Sequence, residues 1–310
     1  MYKGRSVCVV VPAHNEEKLI ATTLRTMPAF VDHIFVVDDL SSDATAAEAA
    51  AVGDQRVSII RHAENTGVGG AIISGHKRVI EVGGDISVVM AGDAQMDPAY
   101  LGTLLDPIVE DGYGFTKANR FFGRESFSGM PAHRVFGNVM LSFMTKVASG
   151  YWNLFDPQNG YTAIRRDVLE ALPLDKISPR YQFENDLLIN LSILGVRAKD
   201  VPIPAIYGAE VSGIRLTRVI PSITALLFKG FWRRIWWKYV LWSFSPIALL
   251  LFAGLFMLLF GGAWGIFATV EAIGSRSPTA GTVLLAVGPA MTGIYLLVQA
   301  LVLDIQATPS

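Results

Sequence analysis

An acid and an amide lie two residues apart directly after a short apolar run. The run is Ile86–Met90, and the two side chains are Asp93 and Gln95. At this spacing a carboxylate and an amide oxygen can face the same way and coordinate a hard cation. The pair therefore predicts a divalent metal site for Mg²⁺ or Mn²⁺. Asp97-Pro98, just beyond it, is typical of the start of a helix.

Further polar residues follow two earlier apolar runs. The segment Pro12–Glu17 stands where a strand gives way to a helix, and Asp39 stands at the tip of the run His33–Val37. A carboxylate there can accept hydrogen bonds from ribose hydroxyls or from the NH of a base. The neighbouring residues Asp38, Ser41 and Asp43 can instead be only turn formers, and Ser42 can cap the next helix.

The elements that must position these residues alternate between strand and helix. The predicted strands are Ser6–Val11, His33–Val37, Val57–Arg61 and Ile86–Met90, and the predicted helices between them are Glu16–Met27, Ser42–Val52 and Gly69–Val82. This rhythm predicts an α/β fold with a parallel sheet, whose ligands bind at the carboxyl ends of the strands. The polar motifs lie at those ends.

Two long apolar segments follow this α/β region. They run approximately over 244–267 and 280–303, and each is about 24 residues long without an internal charge. Because roughly 20 helical residues cross a bilayer core, both segments are predicted to span a membrane. The alternative is a buried hairpin in a large soluble core, where two charge-free runs of this length are rare.

The segment before the first span, Lys229–Tyr239, interleaves four cations with aromatic rings. Such rings settle at the headgroup level of a bilayer, and Lys and Arg side chains reach the lipid phosphates. The loop between the spans carries only Arg276 and Glu271. The positive charge predicts that the N-terminal region lies in the cytoplasm, at the cell membrane. Nucleic-acid binding is a weaker explanation of the basic segment, because the segment adjoins a span.

The composition suits a chain that is part soluble and part membrane-embedded. Hydrophobic residues make up 51% of the 310 residues and the net charge is -1, which excludes bulk attraction to nucleic acid. The single cysteine, Cys8, lies in an apolar run, so we expect it in the core of a protein from a reducing compartment. Residues Met1–Ser6 lead straight into the first strand, and we expect no signal peptide.

The order of the motifs resembles that of the inverting family 2 glycosyltransferases of the GT-A fold, and among them the polyprenyl-phosphate glycosyltransferases, which include dolichyl-phosphate mannose synthases. The segments that carry the resemblance are Pro12–Glu17, Val37–Thr45, Asp93 with Gln95, Asn119–Arg120, Asp156–Tyr161, Phe183–Leu188 and the two apolar segments. The resemblance implies a GT-A catalytic domain at 1–215, an interfacial amphipathic helix at 216–242 and a two-helix anchor at 243–310.

The resemblance also implies roles for single residues. The nucleotide-sugar pocket would be lined by Pro12, Asn15, Glu16, Asp39 and Asp93. Arg120 and Arg134 would bind phosphate, on either side of a lid or plain loop at Phe121–Pro131, and Asp156 would be the acid of the catalytic site.

A further set of residues would lie near the acceptor phosphate or the lid. Asp186 matches the acid of the family's Phe-x-x-acid motif, whereas Glu184 can simply face solvent. Tyr207, Ser212 and Arg215 lie where relatives carry an Arg-containing loop.

The chain departs from the family at two positions. Ala91 stands where the family has the first acid of Asp-x-Asp, so one anionic metal ligand is missing. Gly213 stands where relatives have a Lys near the lipid phosphate, which makes Arg215 the candidate substitute.

The reaction that the resemblance implies is an inverting transfer of a hexose to a polyprenyl phosphate from a nucleotide-diphosphate sugar, at the cytoplasmic membrane face. Mannose or glucose are the leading sugars, with an N-acetylhexosamine next. The lipid phosphate is already anionic, so it needs no strong general base. The expected partners are these two substrates and the membrane, with no nucleic acid. A homo-oligomer formed through Gly254 and Gly261 is left open.

Four alternatives stay open. A dinucleotide site at Thr66–Ala71 lacks the third glycine of its motif, and a processive polysaccharide synthase usually has a Gln-x-x-Arg-Trp motif and more spans. The acceptor can be a glycan or another lipid. Finally, Ala91 leaves room for a non-catalytic membrane scaffold.

Overall fold

The computed structural model describes residues 1–121, 132–204, 216–273 and 278–309, without the side chains of 132–134 and 216–220. The chain divides into two compact units, Met1–Phe231 and Trp232–Thr308. The first unit holds a mixed sheet and the second holds two long helices.

The sheet of the first unit has seven strands in the order β3-β2-β1-β4-β6-β5-β7. The strands are β1 Val7–Ala13, β2 His33–Asp38, β3 Val57–Arg61, β4 Ile86–Val89, β5 Phe115–Asn119, β6 Thr162–Arg165 and β7 Ala198–Pro202. Strands β1 to β4 are parallel, as the sequence predicts, and their ends lie within two residues of the predicted ones. The antiparallel strand β6 was not predicted.

Helices cover both faces of this sheet. The helices in chain order are α1 Ile20–Arg25, α2 Thr45–Ala51, α3 Val68–Val82, α4 Leu101–Val109, α5 Ala132–Ser149, α6 Arg166–Ala171, α7 Phe183–Ile193 and α8 Leu216–Arg234. Of these, α8 packs against α5 and α7. Asp97 caps a 3₁₀ turn at Pro98–Tyr100, as predicted, by accepting a hydrogen bond from Ala99 N (2.9 Å).

The core follows from the alternation of side chains along β1. Val7, Val9 and Val11 pack on one side with residues of α1 and α4, while Cys8 and Val10 pack on the other with α3. Cys8 is fully buried, which confirms its predicted place in the core. Because β5 is antiparallel to β6 and β6 is antiparallel to β4, strands β1, β2, β4 and β5 all end at the same edge.

The second unit contains the two predicted apolar segments as helices α9, Pro246–Ile273, and α10, Ala280–Gln306. Their 28 and 27 residues have mean hydropathies of 2.3 and 1.8 over their most apolar windows, so both are long and apolar enough to cross a membrane. The helices pack through small residues: a Cβ on Gly261 would lie 2.6 Å from Ala286 O. Gly254 and Gly261, which we considered as an oligomer contact, therefore face α10 of the same chain.

A π-helical segment, Ile235–Leu241, precedes α9 and belongs to a buried polar cluster. Arg234 donates to both carboxylate oxygens of Asp304, at 2.6 and 3.1 Å, and Tyr239 donates to Asp304 at 2.5 Å. The three side chains lie between 0% and 8% exposed. We call them the Arg234 cluster.

Candidate active site

A pocket of about 330 Å³ opens where β1, β2 and β4 end. It is lined by four of the five residues assigned to the nucleotide-sugar pocket, namely Pro12, Glu16, Asp39 and Asp93. The fifth, Asn15, does not line it. Its side-chain oxygen accepts hydrogen bonds from Ser42 N (2.9 Å) and Ser42 Oγ (3.1 Å), so Asn15 joins the two loops that form the rim.

Asp39 is buried and holds the loop after β3. One carboxylate oxygen accepts from His62 Nδ1, Thr66 N and Thr66 Oγ1 at 2.8 to 2.9 Å, and the other accepts from Gly67 N at 2.7 Å. Burial alone would raise the pKa of Asp39, but these hydrogen bonds outweigh it and lower the pKa. Asp39 is thus an ionised residue of the pocket lining, and its hydrogen bonds hold the residues at the start of α3.

The neighbouring polar residues at this edge form turns. Asp38 accepts from Ser41 N at 2.9 Å, and Asp43 accepts from Thr45 N at 3.0 Å. Ser42 does not cap α2, whose N-cap is Ala44. The turn-forming interpretation therefore holds for Asp38 and Asp43.

The predicted metal ligands lie on the loop after β4. Asp93 accepts a hydrogen bond from Gln95 N at 3.1 Å, and burial raises the pKa of its carboxyl group. A bound cation would offset that burial, so Asp93 fits a divalent metal. No group of three or more acidic, His or Cys side chains that could hold a metal occurs among the described residues. A cation here therefore needs phosphate oxygens and water to complete its shell, which is usual for Mg²⁺.

Arg120 and Asp156 meet at the same edge, after β5. Arg120 Nε donates to one oxygen of Asp156 at 2.7 Å and Arg120 Nη2 donates to the other at 3.0 Å. The side chain of Asp156 is 1% exposed, whereas that of Arg120 is 37% exposed. Burial would raise the pKa of Asp156, but the bonds from Arg120 and the charge of Lys117 outweigh it and lower the pKa. This is a two-bond pair in which the carboxylate is buried and the arginine side chain is partly exposed.

Asp186, another predicted site residue, does not line the pocket. Asp186 is buried and accepts a hydrogen bond from Ser178 N at 2.9 Å, so it holds the segment before α7. The side chain of Arg134, the lid segment from residue 122 to 131, Tyr207, Ser212 and Arg215 lie outside the described residues.

Sequence reasoning missed two groups of residues. Arg180 and Tyr181 line the pocket about ninety residues from its other walls, with no local motif to mark them. Lys117 is buried on β5, and its Nζ has no hydrogen-bond partner among the described residues. Lys117 and the partly buried Glu184 border one small cavity of about 10 Å³, and burial raises the pKa of Glu184 to about 7. A lysine inside a strand of otherwise buried residues was the available signal.

An acidic pocket at the carboxyl edge of a sheet that is parallel except for one internal strand is the place where α/β enzymes bind their ligands. Residues 8–172 match the model of the family described as glycosyl transferase family 2. The chain belongs to this family and is a glycosyltransferase.

Relatives with known names support this assignment. The UDP-N-acetylglucosamine–dolichyl-phosphate N-acetylglucosaminyltransferase of Methanococcus voltae is 30% identical over 247 residues, which cover 75% of this chain and 96% of that protein. The undecaprenyl-phosphate mannosyltransferase of Micrococcus luteus is 30% identical and covers 64% of this chain and 82% of its own. These relatives transfer sugars to polyprenyl phosphates.

A solved structure supports the fold. Glucosyl-3-phosphoglycerate synthase from Mycobacterium tuberculosis, in complex with Mn²⁺, UDP and phosphoglyceric acid, superposes with a TM-score of 0.55 at 24% identity. The match covers 74% of this chain and 78% of that one.

Proposed function

We propose that this chain transfers a hexose from a nucleotide-diphosphate sugar to a polyprenyl phosphate, with inversion at the anomeric carbon. The observation that carries the proposal is the position of the acidic pocket and the Arg120–Asp156 pair at one sheet edge, in a chain that also has two candidate membrane helices. The names of the relatives point to the same acceptor.

On the donor side, Asp93 and Gln95 would hold Mg²⁺ or Mn²⁺, which would neutralise the diphosphate as it leaves. Asp39 and Pro12 would bind the nucleoside, with Glu16 at the rim. The protein's task is to position the donor and to stabilise the negative charge that develops on its diphosphate.

On the acceptor side, the lipid phosphate carries its own negative charge and can attack without a strong base. Arg120, whose side chain is partly exposed, would bind one phosphate group, and Asp156 would keep the guanidinium oriented or bind a sugar hydroxyl. Helix α5 presents an exposed apolar face suited to a lipid chain or bilayer, made of Phe136, Val139, Met140 and Phe143. Arg134, Asp186, Ser212 and Arg215 remain candidates for the acceptor phosphate or lid.

The basic segment Lys229–Tyr239 favours a catalytic unit on the cytoplasmic face of the cell membrane. The identity of the transferred sugar is the most specific part of the proposal. The relatives named above use N-acetylglucosamine and mannose, so mannose, glucose and N-acetylhexosamine donors all belong in the test.

The test is transfer of label from UDP- and GDP-sugars to a polyprenyl phosphate in detergent, with Mg²⁺, Mn²⁺ or EDTA. We expect a labelled lipid from one donor, lost with EDTA and in Asp93→Ala. Asp111→Ala removes an exposed acid at the opposite edge and should leave transfer unchanged. If the folded protein binds nucleotide but makes no lipid product, the result would favour a glycan as the acceptor. Failure to bind any nucleotide would favour a scaffold.

A further inference from the structure

We propose that Arg180 and Tyr181 bind the nucleotide of the donor, Arg180 through the diphosphate and Tyr181 through the face of the base. The inference rests on the proposed use of a nucleotide-diphosphate sugar and names two residues for its recognition. Both side chains are exposed and both line the pocket that contains Asp39 and Asp93.

The glycines at the start of α3 explain why this distant segment reaches the pocket. A Cβ on Gly69 would lie 2.6 Å from Phe183 Cβ, and one on Gly67 would lie 2.9 Å from Pro179 O. Gly70 N donates to Pro179 O at 2.8 Å. The glycine-rich stretch that we considered as a dinucleotide motif is thus a packing surface, and it brings the residues after Pro179 against the pocket.

The segment is also held from its other side. Asp186 accepts from Ser178 N at 2.9 Å, and Arg180 Nη2 donates to Asn65 O at 3.4 Å. Asn65 itself lines the pocket. Because the segment that contains Arg180 and Tyr181 is held on both sides, little conformational entropy is lost when a ligand binds, and this favours affinity.

Charge gives Arg180 its role. Three carboxylates, those of Glu16, Asp39 and Asp93, line the pocket, and a nucleoside diphosphate adds more negative charge. Among the described residues that line it, Arg180 is the one arginine and there is no lysine. His14 also lines the pocket, and its ring nitrogens lie within hydrogen-bond distance of Asp39 O (2.9 Å) and Asn15 Nδ2 (3.2 Å). Arg180 is therefore the protein's own counter-charge for a diphosphate.

Tyr181 contributes an aromatic face. Tyr181 is 53% exposed and lines the pocket, so a large part of its ring is accessible to a ligand. Base–aromatic stacking is sequence-tolerant and strong enough to matter for affinity.

The experiment measures binding of UDP, GDP, uridine and guanosine to the full chain in detergent with Mg²⁺, by displacement of a fluorescent nucleoside diphosphate and without any acceptor. We expect Arg180→Ala to weaken binding of the preferred diphosphate by about 10- to 100-fold, with its nucleoside changed less than about threefold. Tyr181→Ala should weaken diphosphate and nucleoside together by about 10-fold, and Tyr181→Phe should bind like the wild type. Arg78→Ala, on the exposed face of α3, is the matched control.

The inference is overturned if Arg180→Ala binds the diphosphate as tightly as the wild type, or loses diphosphate and nucleoside equally. Either result would leave the proposed transfer standing. If the wild type binds no nucleotide at all, the proposed function falls with it.

Discussion

Each unit of the chain contains a two-bond Arg–Asp pair with a buried carboxylate, and these two pairs differ in their access to water. In the first unit, Arg120 is 37% exposed above the buried Asp156. In the second unit, Arg234 is fully buried with Asp304, and Tyr239 occupies the same carboxylate. Water thus reaches the Arg–Asp pair at the candidate site, which we call the open pair, but not the pair in the Arg234 cluster, which we call the closed pair.

The difference separates a pair suited to ligand binding from one suited to structure. An open guanidinium can turn toward an incoming phosphate at little cost, because water already solvates it. A closed pair cannot lose a partner without leaving a buried charge. We therefore expect mutations of Asp156 to act mainly on activity and mutations of Asp304 to act mainly on stability.

The largest expected effect is on the closed pair. Asp304→Ala removes the carboxylate that accepts two hydrogen bonds from the buried Arg234, and should lower the free energy of unfolding of the second unit by about 3–5 kcal/mol. Tryptophan fluorescence during denaturation reports on this unit, because five of the six tryptophans lie in it, while labelling of the single Cys8 reports on the first.

The apolar double variant Arg234→Met with Asp304→Leu should recover most of that stability, since no charge stays buried. Glu271→Ala, an exposed acid of the same unit, is the control. An Asp304→Ala protein as stable as the wild type would show that the Arg234 cluster is not closed.

The open pair should give the opposite result. Asp156→Asn should reduce the rate of sugar transfer by about 100- to 1,000-fold, because Arg120 loses its orienting charge at the catalytic edge. Asp156→Asn should lower the free energy of unfolding of the first unit by about 1 kcal/mol or less, as measured by Cys8 labelling, since water reaches the guanidinium group of Arg120. The control is Asp167→Asn, which breaks the pair of Arg165 and Asp167 away from the pocket. A stability loss as large as that of Asp304→Ala would remove the distinction between the pairs.

Sequence was sufficient for features that depend on local pattern. The strands β1 to β4 and the two apolar helices were predicted within a few residues, because hydrophobic runs and span lengths are local properties. Asp39 and Asp93 were predicted to be neighbours because parallel strands end at one edge.

Contacts between residues that lie far apart in the sequence could not be predicted in this way. The wall of Arg180 and Tyr181 depends on contacts between α3 and the residues before α7, and the partner of Arg234 lies 70 positions away. Asp186 matched a family motif, but its place in the structure is set by Ser178 N.

Glu184 forms no ion pair with an arginine among the described residues, and its effect on stability should depend on pH. Burial raises its pKa from 4.5 to about 7, so the folded state holds a proton that the unfolded state has released. That contribution to stability is full below pH 4.5 and is lost as the pH rises through 7. Glu184→Gln should therefore be more stable than the wild type at pH 8, by at most about 3 kcal/mol, and similar at pH 4.5.

Urea unfolding followed by Cys8 labelling of the denatured fraction, at both pH values, measures this difference. Glu170→Gln, an exposed acid of the same unit, should show none of it. Equal curves for the wild type and Glu184→Gln at pH 8 would mean that Glu184 titrates as an ordinary surface acid.

The smallest expected effect tests whether α9 and α10 are tightly packed along their length or only at the Arg234 cluster. A Cβ on Gly261 would lie 2.6 Å from the backbone of Ala286 and Ala290, whereas one on Gly262 would meet nothing within 4 Å. Gly261→Ala should therefore force α9 and α10 apart and cost about 1–2 kcal/mol. Gly262→Ala should be neutral or stabilise by up to about 1 kcal/mol, because alanine is the better helix former. Tryptophan fluorescence measures both, and light scattering shows whether either variant changes the oligomeric state. If Gly261→Ala altered only the oligomeric state, the glycine would serve a contact between chains, and the closed character of the unit would be confined to Arg234 and Asp304.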